Sequence, residues 1–360
     1  MEKKRSCGLD FVRSAAIIFV IVLHSISLSG VLDGDKNAVW GTALYFRQLC
    51  MSSVPLFLIL SGYLQRNKKP TLSYYCGIIP LYLSYFVISL ICMLLYAING
   101  YASGNMDLTF VTAIYKILDF SANGYAWYFE MYIGLFLLIP FLNLIYSSLK
   151  TKVGKIILIS TLAFLTLVPD TVSGFSPYYS GTSSVTLAIM PDFFKSIYPL
   201  AYYFIGSFIA EYKPKLSVCK KIAALILAPT IPTSLIALYT YLRGGYAWYM
   251  LNGFQTLSVA FTAVCVFLVL YDIEPGCAIV SKPFAYISKN TFEIYLFSYI
   301  WDSVFYSKLF LYGRLPFPLV ILVIFACSFA SAMLLNAVLR PANRLALRMC
   351  GKMVNKTEIL

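Results

Sequence analysis

Long, predominantly apolar runs, about 18 or more residues each, recur along this 360-residue chain and decide what it can fold into. In hydrocarbon every backbone amide must find its partner within a helix or a closed barrel. Barrel strands show as short alternating segments, whereas these runs are continuous. The expected fold class is therefore an all-α polytopic membrane protein, a bundle of about ten transmembrane helices. Spans are placed at about 9–30, 40–65, 73–98, 126–147, 154–170, 195–212, 221–242, 254–272, 286–311 and 316–338, the fifth being short. With 60% hydrophobic and only 12% charged residues, no stretch is left for a soluble domain, so residues 1–360 are read as one integral-membrane domain. The first run has no small-residue cleavage site after it and reads as a signal anchor.

Loop charge gives the bundle a direction. If the end bearing Lys3, Lys4 and Arg5 is cytoplasmic, even-numbered spans return the chain there. The returns then carry Arg66, Lys68 and Lys69; Lys150, Lys152 and Lys155; Lys213, Lys215, Lys220 and Lys221; Lys282 and Lys289; and a tail with Arg340, Arg344, Arg348, Lys352 and Lys356. Twenty of the 28 basic residues thus fall on one side, the positive-inside pattern expected with both termini cytoplasmic. The net charge of +13 is accounted for without nucleic acid. The outer loops 99–125 and 171–194 are long enough to cover a cavity mouth, and Thr109–Phe120 reads as a short amphipathic helix. Trp40, Trp127, Trp248 and Trp301 fall near span ends, as interfacial anchors do. The nine cysteines are scattered, form no CxxC, and read as small core residues without a disulfide framework. A single histidine argues against a His-rich metal centre.

That histidine, His24, shares the first span with Arg13. Eleven residues at about 100° each bring the two onto one face, roughly 16 Å apart along the axis. Ionisable groups inside a span are costly and by default line a substrate or proton path. The alternative is that Arg13 snorkels and His24 bonds a neighbouring helix. In span two, Pro55 interrupts the run, Ser61 and Gly62 lie one turn from the exit, and the planar fork of Arg66 beyond them suits a phosphate. Arg47, near the outer end of that span, serves either headgroups or substrate. Glu130, about one turn inside span four, either orients His24 or faces headgroups. Glu293 and Asp302 in span nine are each able to pair with a buried arginine, and Asp302 equally reads as a rim residue.

Taken together these pieces resemble the bacterial integral-membrane acyltransferase family 3, whose members O-acetylate surface and secreted glycans. The family's opening, a basic residue, ten positions, then histidine, is matched by Arg13 and His24 within LDFVRSAAIIFVIVLHS. Its VPLFF-x-x-SGY(L) element followed by arginine is matched by Val54–Leu64 and Arg66. A Trp-led helix matches Trp127–Pro140, and a late SFxIYLxH element matches residues 290–298. Two positions depart: Ser298 stands where many members have a second histidine, and Tyr132 where some have a glutamate. Glu130 therefore inherits no role and stands as an independent candidate.

The resemblance implies acyl-CoA, most simply acetyl-CoA, as donor, a glycan acceptor, and a place in the bacterial plasma membrane. On that footing Arg13 and Arg66 hold the donor's phosphate or pantetheine groups, His24 acts as general base, and Ser61 or amides near Gly62 help hold the oxyanion. Two rivals remain open. A polysaccharide or lipid-linked sugar transporter fits the many spans and buried charges, although no half-to-half similarity is visible. A structural subunit of a polysaccharide synthase does not need the Arg13–His24 pair.

Overall fold

The computed structural model describes residues 6–103, 109–175, 192–247, 250–274, 278–308 and 316–357. Lys3, Lys4, Arg5, Trp248, Arg314 and most of the outer loop 171–194 lie outside the described residues. Among the described residues every regular element is helical. In chain order the α-helices are α1 Cys7–Leu28, α2 Ala38–Cys50, α3 Ser53–Gln65, α4 Leu72–Cys76, α5 Ile79–Ser103, α6 Phe110–Leu118, α7 Trp127–Ser148 and α8 Lys152–Thr166. They continue as α9 Val168–Ser173, α10 Tyr198–Tyr212, α11 Val218–Arg243, α12 Leu257–Leu270, α13 Ala278–Lys289, α14 Thr291–Ser303 and α15 Phe317–Thr357.

Among the described residues seven helical stretches are long and apolar enough to cross a membrane: Cys7–Leu28, Ala38–Gln65, Leu72–Asn99, Trp127–Ser148, Lys152–Ser173, Val218–Arg243 and Phe317–Gly351. The chain is thus an all-α polytopic membrane protein. The short fifth span becomes a stretch of 22 residues, because α9 continues α8. The other three expected spans meet shorter helices, α10, α12 and α14, of 15, 14 and 13 residues. A count of ten, and the side on which the termini lie, rest on loop charge rather than on helix length.

The helices form two compact units, Met1–Asn67 with Leu142–Lys289, and Lys68–Phe141 with Asn290–Leu360. In the first, α3 and α10 make the most extensive pairing, α1 packs on α2, α3 and α13, and α11 packs on α12. Span two is not one straight helix. The ladder tightens at Met51–Ser52, where the Ser52 N–H bonds to Leu49 O, and α3 then restarts. Pro55 therefore lies in the first turn of α3, where a missing N–H costs no intrahelical bond.

In the second unit α14 packs on α15 and α5. The short amphipathic helix expected at Thr109–Phe120 is α6, and it is set by a reciprocal capping box between Thr109 and Thr112. The carboxylates of span nine are bound by hydroxyls: Ser84 Oγ donates to Glu293 at 2.8 Å and Tyr125 OH to Asp302 at 2.7 Å. Asp302 is only 1% exposed, so it is no rim residue. The cysteine expectation fails at Cys76 and Cys350. They form a disulfide with Cα atoms 6.3 Å apart, joining α4 to the end of α15 across 274 positions, a pairing that sequence spacing does not signal.

Candidate active site

The first unit carries four of the five candidate residues, and α1 and α3 hold them. The N-terminal end of α1 is tightly fixed. A Cβ on Gly8 would lie 2.9 Å from Leu270 O and closer still to Tyr271 O, so only glycine lets α1 cross the end of α12 there. The Phe11 ring sits 4.4 Å from that of Phe284, and Ser14 Oγ donates to Phe284 O at 3.0 Å. Arg13 extends in the same direction, its Nη1 donating to Ser288 Oγ at 3.0 Å. The guanidinium thus bonds to α13 within the protein rather than snorkelling to headgroups.

His24 lies near the other end of α1 and is half-buried. Its neighbour Leu23 joins Cys50, Met51 and Val259 in a buried apolar cluster, with Phe19, Val22 and Phe254 packed against it. Because α1 and α2 are joined by the loop 29–37 and run in opposite directions, this cluster places His24 at the height of the α2–α3 restart.

α3 supplies the second group. Gly62 and Gly206 are the contact points between α3 and α10: a Cβ on Gly62 would meet the Tyr203 carbonyl, and one on Gly206 the Ile59 carbonyl. Ser207 Oγ donates to Gly62 O across the same seam at 3.3 Å. Ser61 is half-buried and its hydroxyl donates to Phe57 O at 2.9 Å, which engages it within its own helix. Arg66, just past the end of α3, stands 4.0 Å from Glu211, which accepts from Lys155 Nζ at 2.6 Å. Lys155 is therefore not a plain loop cation: its side chain is 8% exposed and lies over the Tyr146 ring at 4.8 Å. α3 runs antiparallel to α1, so Arg13 and Arg66 occupy the same end of the unit and His24 the other.

Glu130 belongs to the second unit, where its side chain is exposed in the first turn of α7. Two further expectations change. Trp40 is no lipid anchor: it is buried, its indole N–H donates to Leu32 O at 3.0 Å, and its ring meets Tyr246 edge-on. Arg47 donates to Asn252 Oδ1 in the outer loop before α12, so it faces protein and not headgroups. Glu211 was legible by the rule that singles out ionisable residues in spans, and the sequence reading passed over it. Asn252 and the buried Gln48 carry no such signal.

No curated protein and no solved structure gives a significant match. The model of one family, described as an acyltransferase domain, matches residues 8–337. That match covers nearly the whole chain, including both helices that carry Arg13, His24, Ser61 and Arg66, and the chain accordingly belongs to the acyltransferase family 3.

Proposed function

We propose that this membrane acyltransferase moves an acetyl group from cytoplasmic acetyl-CoA to a hydroxyl of a cell-surface or secreted glycan. It does so from a bacterial plasma membrane, as a single ten-span domain with both termini inside. The observation that carries this reading is the arrangement of α1 and α3: two arginines at one end of a helix pair and the sole histidine at the other. Arg13 and Arg66 hold phosphate or pantetheine polar groups of the donor at the cytoplasmic end. A thin arm spanning the roughly 16 Å between Arg13 and His24 then presents the thioester beside the imidazole.

His24 accepts the proton of the incoming hydroxyl as its oxygen bonds to the thioester carbonyl carbon. The tetrahedral oxyanion collapses, the C–S bond breaks, and the imidazolium returns the proton to the departing CoA sulfur. Glu130 is left without a partner role at His24 in this scheme. The test is transfer of label from radiolabelled acetyl-CoA into the glycan fraction of membranes. His24→Ala is expected to insert and fold normally and to lose transfer. Normal transfer by that variant refutes the mechanism, and glycan export without any label transfer favours a transporter.

A further inference from the structure

Gln48 is 1% exposed, yet neither its amide nitrogen nor its amide oxygen has a hydrogen-bond partner among the described residues. Ser25 and Ser53, both fully buried, likewise have hydroxyls without a partner. These three residues come from three different helices of the first unit, and they share one height. The cluster that joins Leu23 to Cys50 and Met51 fixes the antiparallel register of α1 on α2. With about 1.5 Å of rise per residue on each helix, Ser25 and Gln48 then stand within about one turn of each other. Ser53 opens α3 immediately after the Met51–Ser52 turn, at the same level. His24 is the residue next to Ser25.

Packing alone does not account for Gln48. It continues the buried stripe of Trp40 and Leu44 on α2, where leucine would fill similar space without leaving an amide unsatisfied. Unpaired buried polar groups are rare in folded proteins because each forfeits its hydration. Three of them at the height of one imidazole point to a group that arrives with the substrate. The chemistry needed there is donation: an amide N–H and hydroxyls suit an oxygen that gains negative charge as the carbonyl carbon becomes tetrahedral. Ser61, whose hydroxyl already donates to Phe57 O, is less well placed for it. The first turn of α3 adds the positive end of a 13-residue helix at the same level.

We infer that Gln48, assisted by the Ser53 hydroxyl, donates to the thioester oxyanion beside His24. This rests on the acyl-transfer reading above. The charge that forms on the carbonyl oxygen is held by the Gln48 amide while the C–O bond to the acceptor forms, and it is released when the C–S bond breaks.

The experiment compares Gln48→Leu and Gln48→Met with His24→Ala in label transfer from radiolabelled acetyl-CoA to membrane glycan, together with thermal unfolding of each purified protein. Loss of an oxyanion donor lowers kcat about 100-fold or more. KM for acetyl-CoA is expected to change little, and both Gln48 variants are expected to melt at or above the temperature of the parent, since an unsatisfied amide has been removed. Gln48→Met retains an unbranched side chain and reports on function if the leucine does not fold. Ser53→Ala is expected to give a smaller loss in kcat. If His24→Ala is inactive while both Gln48 variants keep kcat within about threefold of the parent, the oxyanion assignment falls and the acyl-transfer reading stands. A lowered melting temperature with kcat unchanged makes Gln48 structural and overturns the assignment equally. If His24→Ala is itself fully active, the acyl-transfer mechanism fails first.

Discussion

The α3–α10 seam offers a sharp test of how the site is held. In Gly62→Ala the new Cβ would lie 2.8 Å from the Tyr203 carbonyl carbon and closer to its oxygen. In Gly206→Ala it would lie 2.8 Å from the Ile59 carbonyl carbon and 2.9 Å from Tyr63 N. The obstacle in both cases is helical backbone, which cannot swing aside as a side chain does. To restore ordinary contact at the carbonyl oxygen, which lies closer still, the two helices must part by more than about 1 Å, and a gap of that size forfeits about half or more of the attraction at each atom pair along the seam. Added to the usual strain of overpacking, each substitution is expected to cost about 2–4 kcal/mol. The pair should cost less than the sum, because the first Cβ has already opened the seam for the second. Gly41→Ala is the control: nothing lies within 4 Å of a Cβ there, and alanine in α2 should be neutral or stabilising by up to about 1 kcal/mol. Unfolding of the purified protein can be followed by a thiol-reactive fluorophore, since Cys50, Cys92 and Cys265 are buried and free. The Gly62 and Gly206 variants should melt roughly 4–10 °C below the parent. If either melts within about 1 °C of it, the close approach of these two helices is wrong.

Arg13→Ala should raise KM for acetyl-CoA by roughly 10–100-fold, the scale of a charge-assisted hydrogen bond to phosphate, and raise KM for the acceptor less. An unchanged donor KM in steady-state assays would remove Arg13 from the donor site. Orientation is testable at Cys219, an exposed free thiol at the start of α11 in a loop expected to be cytoplasmic. A membrane-impermeant maleimide should label it in inverted vesicles and leave it unlabelled in intact cells, with Cys219→Ser as the blank. The opposite pattern would reverse the topology drawn from loop charge.

The parts of the fold legible in the sequence are those with a local cause. Apolar length announces the long helices, and the amphipathic pattern over Thr109–Phe120 announces α6, whose cap is formed within four residues. Gly62 stood out by motif, although its purpose, letting α3 touch Tyr203, depends on a helix some 140 residues later. What was not legible depends on long-range partners. Trp40 looks like any ring at a span end until Leu32 O and Tyr246 are seen around it. Lys155 looks like one of the orienting loop cations, but Glu211 draws it inward. The restart at Met51–Ser52 was mistaken for a break at Pro55, since a proline within an apolar run marks a disturbance without saying on which side of it the helix begins.

The same contrast runs through the candidate site. The Arg13–His24 pair is costly in a membrane, so the residues themselves give it away. The surroundings of His24 are set by register, and register is absent from any one segment. Once α1 lies against α2 and α3, two lengths coincide. Arg13 and His24 are separated by roughly 16 Å of helix, and Ser53 and Arg66 by about 20 Å. Both stretches begin at the level of one end group and finish at the level of the other, and on the proposed reading they flank one extended donor held by charge at one end and reacting at the other. A ruler on a single helix fits any two residues that happen to share a face. Two rulers of nearly equal length, on helices that pack together and carry arginine at the same end, are what the proposed reading requires of a donor site.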